Sequence, residues 1–267
     1  MSAIRPAAVA GSFYPAAPRA LRSTVQRELR AVQRGPQALP KALIVPHAGY
    51  VYSGAVAASA YVWIEPLRGR IRRVLLLGPA HRVPVRGLAV PAAEVFETPL
   101  GPVAVDREAI SEIASLPQVR VSDPAHAFEH SLEVQLPFLQ ELLGGFALVP
   151  LVVGDASPDE VAAVLERLWG GDETLIVVSS DLSHYHDYAT ARRLDAETTR
   201  AIVALRPEAL DGDRACGCIP VQGLLLAARA HDLHVTAVDV RNSGDTAGPR
   251  DRVVGYGAYV ITPAVPG

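Results

Sequence analysis

The 267-residue chain is 49% hydrophobic and carries a formal net charge of −3. That is ample apolar material for the core of an α/β domain, and it gives no electrostatic case for nucleic acid or an anionic membrane as main partner. No eighteen-residue apolar run exists, so no transmembrane helix is expected. Residues 1–23 lack the sustained hydrophobic core of a signal peptide, which makes the cytoplasm the expected compartment.

In chain order, apolar strand-like runs stand at 42–45 (ALIV), 73–78 (RVLLLG), 146–154 (FALVPLVVG), 174–180 (TLIVVSS), 233–240 (LHVTAVDV) and 253–261 (VVGYGAYVI). They are continuous rather than alternating, the pattern of strands covered on both faces. Helix-like stretches lie between them at 55–63, 107–115, 132–143, 158–169 and 187–205, and a further helix holds VQGLLLAARA. The start at 157 is well marked. Ser157 can cap, Pro158 suits the first turn, and Asp159 and Glu160 favour the positive end of the helix. Pro137, in the second turn of 132–143, predicts a kink or a late start. VFETPLGPVAVD reads as a hairpin around a Pro-Leu-Gly turn, which would make part of the sheet antiparallel. With no repeat or linker to divide it, 1–267 is expected to form a single α/β domain, a mostly parallel central sheet flanked by helices.

Three of these runs end alike. ALIVPHAGY delivers His47, RVLLLGPAH delivers His81, and TLIVVSSDLSH delivers Asp181 and His184. Open parallel sheets bind ligands beyond the carboxyl ends of their strands, so these four residues are expected in one crevice. Each also has a plainer role: a histidine as a hydrogen-bonded loop residue, Asp181 as a helix cap. Cys216, in ACGCIP ahead of a helix, gains nucleophile or ligand character if the helix end lowers its thiol pKa. Cys218 reads as a small buried hydrophobe, although either thiol could face the crevice. Two residues apart, the pair can form neither a Cys₄ zinc site nor an unstrained disulfide, and it suits a reducing compartment.

Glu129 and His130 precede the helix of EHSLEVQLPFLQELL and can face the crevice. Ser131 reads as its cap and Glu133 as a complement to its dipole. Tyr52, in PHAGYVYSG, is a further candidate for the crevice wall. His126 and His186 are expected in exposed loops, His231 and His234 at a helix end and a strand flank. There is no P-loop, G-x-G-x-x-G, G-x-S-x-G elbow or H-E-x-x-H. No nucleotide cofactor is therefore expected, and neither Ser179 nor Ser180 reads as a nucleophile.

AGSFYP (10–15), PHAGYVYSG (46–54), LGPAHRVP (77–84), FETPLG (96–101), EHSLEVQLPFL (129–139), VPLVVG (149–154), SSDLSHY (179–185) and CGCIPV (216–221), in this order, resemble the Memo family. Its prokaryotic members are called AmmeMemoRadiSam system protein B, and the likeness spans nearly the whole chain. The resemblance implies a fold like that of LigB-type class III extradiol dioxygenases. Those enzymes open catechol rings with iron(II) held by two histidines and a glutamate, another histidine serving as acid/base. The Memo pattern keeps the histidines and has cysteine in place of the glutamate. By this likeness His47 and His81 resemble the metal-binding histidines, Cys216 the third ligand, and Asp181 and His184 the catalytic polar residues. The implied cofactor is iron(II) or copper, a thiolate shifting preference toward copper or zinc. Two positions depart from the pattern: Cys218 replaces a basic or histidine residue, and Gln135 replaces a histidine of the animal protein.

Two readings follow. One is a metal-dependent redox or dioxygenase-like enzyme. The other is a non-catalytic protein whose crevice binds a peptide, a metabolite, or a partner of the radical-SAM or AMMECR type that the system name implies. A hydrolase or thiol enzyme ranks behind both.

Overall fold

The computed structural model describes residues 3–33 and 38–263; the two ends of the expected 1–267 domain and residues 34–37 lie outside them. The first half of the chain runs β1 (Ile4–Arg5), α1 (Pro18–Ala31), β2 (Ala42–Val45), α2 (Tyr50–Tyr61), β3 (Arg73–Pro79), β4 (Leu88–Val90), β5 (Val95–Thr98), β6 (Gly101–Ala104), α3 (Arg107–Ile113), β7 (Val119–Val121) and α4 (Asp123–Ala127). The second half runs α5 (His130–Glu133), α6 (Leu136–Leu143), β8 (Ala147–Val153), α7 (Pro158–Arg167), β9 (Thr174–Ser179), β10 (His184–His186), α8 (Tyr188–Val203), α9 (Cys218–Ala230), β11 (Leu233–Asn242), α10 (Ser243–Thr246) and β12 (Val253–Pro263).

The large sheet has the order β10-β12-β2-β9-β3-β8-β4-β7, with β11 also paired to β12. Its centre is parallel: β2 with β9, β9 with β3, and β3 with β8. These four strands are buried along almost their whole length, which is why they read as unbroken apolar runs. Both flanks turn antiparallel, through β12 on β2 and β4 on β8. The hairpin forms where expected, but its strands β5 and β6 join β1 in a separate three-stranded sheet instead of the main one.

Helices flank the sheet, with α2 packed on β2 and β12 and α9 on β3 and β9. Helix α7 has the capping box its sequence promises: Ser157 accepts from Glu160 N–H and the Glu160 carboxylate accepts from Ser157 N–H. Pro137 produces the late start. The 132–143 stretch splits into α5 and α6, because a proline at the first turn of α6 loses no needed donor. Helix α2 begins earlier than its small-residue run suggests, at Tyr50, whose N–H donates to Phe13 O and whose hydroxyl donates to Val134 O. Helix α1 is not among the sequence-based elements, although Leu21, Val25 and Leu29 have i, i+4 spacing and all pack on the core.

Candidate metal centre

The strands that carry His47, Asp181 and His81 are neighbours in the order β2, β9, β3, all parallel. Their carboxyl ends therefore sit side by side at a strand spacing of about 5 Å. Pro46 ends β2 and delivers His47, while Pro79 ends β3 and delivers His81. The loop before α9 brings Cys216 over the same ends. There Gly217 N–H donates to Ser180 Oγ at 3.0 Å and Asp181 N–H donates to Cys216 Sγ at 3.3 Å. A Cβ on Gly217 would stand 2.7 Å from Ser180 Cβ, so glycine is what lets this loop approach β9.

The result is a cluster of His47, His81 and Cys216 whose ligand-capable atoms all lie within 4.8 Å of one another. His47 is buried, with Nε2 3.3 Å from Cys216 Sγ and Nδ1 2.9 Å from Ser179 Oγ. Burial holds its pKa well below the usual histidine range, with His81 and His130 adding to the effect, so it is neutral at pH 7. His81 leans on Glu129, which accepts from its backbone N–H at 2.6 Å and lies 2.9 Å from its Nδ1. Burial alone would raise the Glu129 carboxyl. The hydrogen bonds from His81 and Ser131 N–H outweigh that and bring it down to about 2. A carboxylate only accepts, so Nδ1 of His81 donates to Glu129 and Nε2 is the ring nitrogen left to serve a metal, the carboxylate–histidine arrangement that supports a metal ligand.

His130 completes a three-ring group, stacked on His81 at 4.6 Å and edge-on to His47 at 5.4 Å. Burial takes its pKa down to about 4, and its buried Nδ1 has no hydrogen-bond partner among the described residues. His81, Glu129 and His130 form a second set of metal-capable atoms. Glu129 is already engaged by three N–H donors there, so it braces His81 from behind and does not line the cleft.

Asp181 does not cap a helix. Its Oδ1 accepts the backbone N–H of His47 at 2.7 Å, and burial pushes the carboxyl up to about 7. His184 lies in the wall of the same cleft, of about 1240 Å³, together with Tyr52, His130 and Cys216. Burial lowers its pKa too. His184, Tyr185 and His186 all line this cleft, which a regular strand with alternating side chains cannot achieve. A bulge in β10 between His184 and His186, with Tyr185 at φ 64°, makes it possible.

Several side chains sit in surroundings other than those their local sequence implies. The thiol of Cys216 is pushed up, not down: burial dominates, and the nearby Asp181 carboxyl adds to it. Cys218 is the first residue of α9, half-buried and outside the cleft wall. His186 belongs to β10 and lines the cleft. His126 is buried in α4 with Nε2 3.0 Å from Ala89 O. Ser131 does not cap; Glu129 caps α5, and the Ser131 hydroxyl donates to Pro79 O. Glu133, expected to complement a helix dipole, is fully buried and ion-paired with Arg5. Gln135 lies behind His47, where its Nε2 donates to Pro46 O at 2.9 Å and to Ser179 Oγ at 2.8 Å.

Fold and cluster together define an α/β protein with a histidine–histidine–cysteine group at the carboxyl ends of parallel strands. Residues 5–260 match the family model described as Memo-like protein, and the chain belongs to the Memo family. It is 35% identical to a MEMO1 family protein of Sulfolobus acidocaldarius, covering 95% of this chain and 97% of that one. It is 37% identical to one of Aquifex aeolicus, with the same coverage, and 38% identical to one of Aeropyrum pernix, covering 97% and 99%. Among solved structures it resembles the uncharacterized protein JW3007 of Escherichia coli K12, with a TM-score of 0.53 at 14% identity over 80% of this chain and 98% of that one. That likeness is one of fold. No helix among the described residues is long and apolar enough to cross a membrane.

Proposed function

We propose that the chain holds one iron or copper ion through His47, His81 and Cys216 and acts as a metal-dependent redox or dioxygenase-like protein. The observation that carries this is the convergence of three ligand-capable atoms, all within 4.8 Å, from three separate segments of chain. The donor chemistry fits. Two imidazoles and a sulfur suit a borderline or soft metal, and the burial that keeps His47 neutral leaves it available as a ligand. Cys216 would serve as the thiolate, giving up its proton on coordination, since only the deprotonated sulfur is a ligand.

When bound, such a metal supplies one-electron redox chemistry or activates dioxygen. The chain's own groups handle protons and position. Asp181, poised at about 7, exchanges a proton near neutral pH while its oxygen holds the His47 backbone. Neutral His184 faces the cleft as a base for an acidic substrate proton. Tyr52 and Tyr256 help wall the space a small molecule or peptide would occupy.

The test is metal content by inductively coupled plasma mass spectrometry on anaerobically purified, untagged protein. We expect iron or copper near one per chain in the wild type, and its loss in His47→Ala, His81→Ala and Cys216→Ser. A wild type that stays metal-free after anaerobic reloading overturns the reading. That outcome favours the cleft as a binding surface, with radical-SAM and AMMECR-type proteins as its candidate partners.

A further inference from the structure

His81 has a carboxylate to orient its ring; His47 has only neutral groups behind it. Its Nδ1 lies 2.9 Å from Ser179 Oγ, and a hydroxyl can meet an imidazole nitrogen either as donor or as acceptor. The surrounding groups decide which. Ser179 Oγ also lies 2.6 Å from the backbone carbonyl of Ser131, which can only accept, so the single hydroxyl proton goes there. Gln135 Nε2 lies 2.8 Å from the same oxygen.

The amide of Gln135 is itself oriented without ambiguity. Its nitrogen faces the Pro46 carbonyl at 2.9 Å, and its oxygen receives the Tyr61 hydroxyl at 2.9 Å. Ser179 therefore donates once and accepts from Gln135, which leaves one lone pair, and that lone pair faces His47. Were the hydroxyl proton turned toward His47, two acceptor oxygens would confront each other at 2.6 Å in a fully buried site.

We infer that Gln135 and Ser179 are positioning residues that lock His47 as the Nδ1–H tautomer, so that its Nε2 lone pair is presented to Cys216 and the cluster. The same Gln135 nitrogen ties down the peptide immediately before His47, so one side chain fixes both the ring's protonation pattern and the backbone that carries it. The purpose of the lock rests on the metal reading; the lock itself does not.

The test uses metal-free, chelator-treated full-length protein with ¹⁵N-labelled histidine, read by long-range ¹H–¹⁵N correlation spectra that identify which ring nitrogen bears the proton. In the wild type we expect His47 wholly as Nδ1–H. In Ser179→Ala and Gln135→Leu we expect a mixture with the Nε2–H form and, where the wild type binds iron or copper, an affinity roughly 10–100-fold weaker. A wild-type His47 protonated on Nε2 overturns the inference, and so does an unchanged Nδ1–H pattern in both variants. If either variant fails to fold, the wild-type spectrum still decides. Nδ1–H in a wild type that takes up no metal leaves the lock standing and removes only the metal reading.

Discussion

Lys41 is the single lysine of the sequence, in a chain whose other side-chain cations are arginines. Its ammonium sits where three backbone carbonyls converge: Trp169 O at 2.7 Å, Gly171 O at 2.9 Å and Thr174 O at 3.0 Å. An ammonium offers three donors from one atom and matches this cup. A planar guanidinium spreads its donors over a wider fork and does not. Lys41 also directly precedes β2, and its carbonyl accepts Ile176 N–H, so the cup ties the loop after α7 to the first parallel pair of the sheet. Lys41→Met and Lys41→Arg are each expected to lower unfolding stability by about 1–3 kcal/mol, the loss of charge-assisted hydrogen bonds to these carbonyls. Urea unfolding checks this, and an arginine variant as stable as wild type would show that charge alone matters there.

At the scale of elements, the N-terminal segment is fastened to α5 by one carboxylate. Glu133 pairs with Arg5 and accepts the N–H groups of Ala8 at 2.8 Å and Val9 at 3.0 Å, as well as the Tyr14 hydroxyl. Arg5 reaches on to the carbonyls of His126 and Glu129, which draws in α4 and explains why its histidine is buried. The segment then lays Phe13 against His130, ring centroids 4.7 Å apart, at the edge of the cleft. Glu133→Gln keeps the shape but strands the buried Arg5 charge, so a loss of about 3–5 kcal/mol is expected. Denaturant unfolding gives the magnitude. Limited proteolysis should cut the variant first within residues 5–15 if this carboxylate is the fastening.

For the molecule as a whole, buried carboxylates come in two kinds. Glu129 and Glu133 are saturated with donors, whereas Asp195 accepts the N–H of Ser183 at 3.0 Å and has no comparable set of donors among the described residues. Asp195 lies against the backbone of β12, so close that a Cβ on Gly255 would meet its Oδ2 at 2.1 Å. Burial pushes its carboxyl up to about 6. The folded state thus holds the proton more tightly than the unfolded chain, whose aspartates titrate at about 3.9. Stability from this group is fully present below about pH 4 and is lost as pH rises toward 6, a change of about 3 kcal/mol. Asp195→Asn keeps the acceptor oxygen and removes the charge. It is expected to stabilise the protein at pH 7.5 and to make no difference of that size at pH 4, as thermal unfolding at the two pH values will show.

The central strands were legible from sequence to within a residue or two at each end, because burial on both faces writes a continuous apolar run into β2, β3, β8 and β9. The start of α7 was legible because a capping box is a local contact between residues three apart. The strand-end histidines were legible as candidates for the same reason, since Pro46 and Pro79 mark where apolar chain meets the loops. Tertiary structure alone decided that His47, His81 and Cys216 meet, because that depends on the strand order β2-β9-β3 and on a loop more than thirty residues beyond β9. It also decided the direction of the Cys216 shift, the burial of Glu133 and His126, and the place of Gln135 behind His47. Desolvation and donor counting depend on what surrounds a group in space, and local sequence pattern does not carry that information.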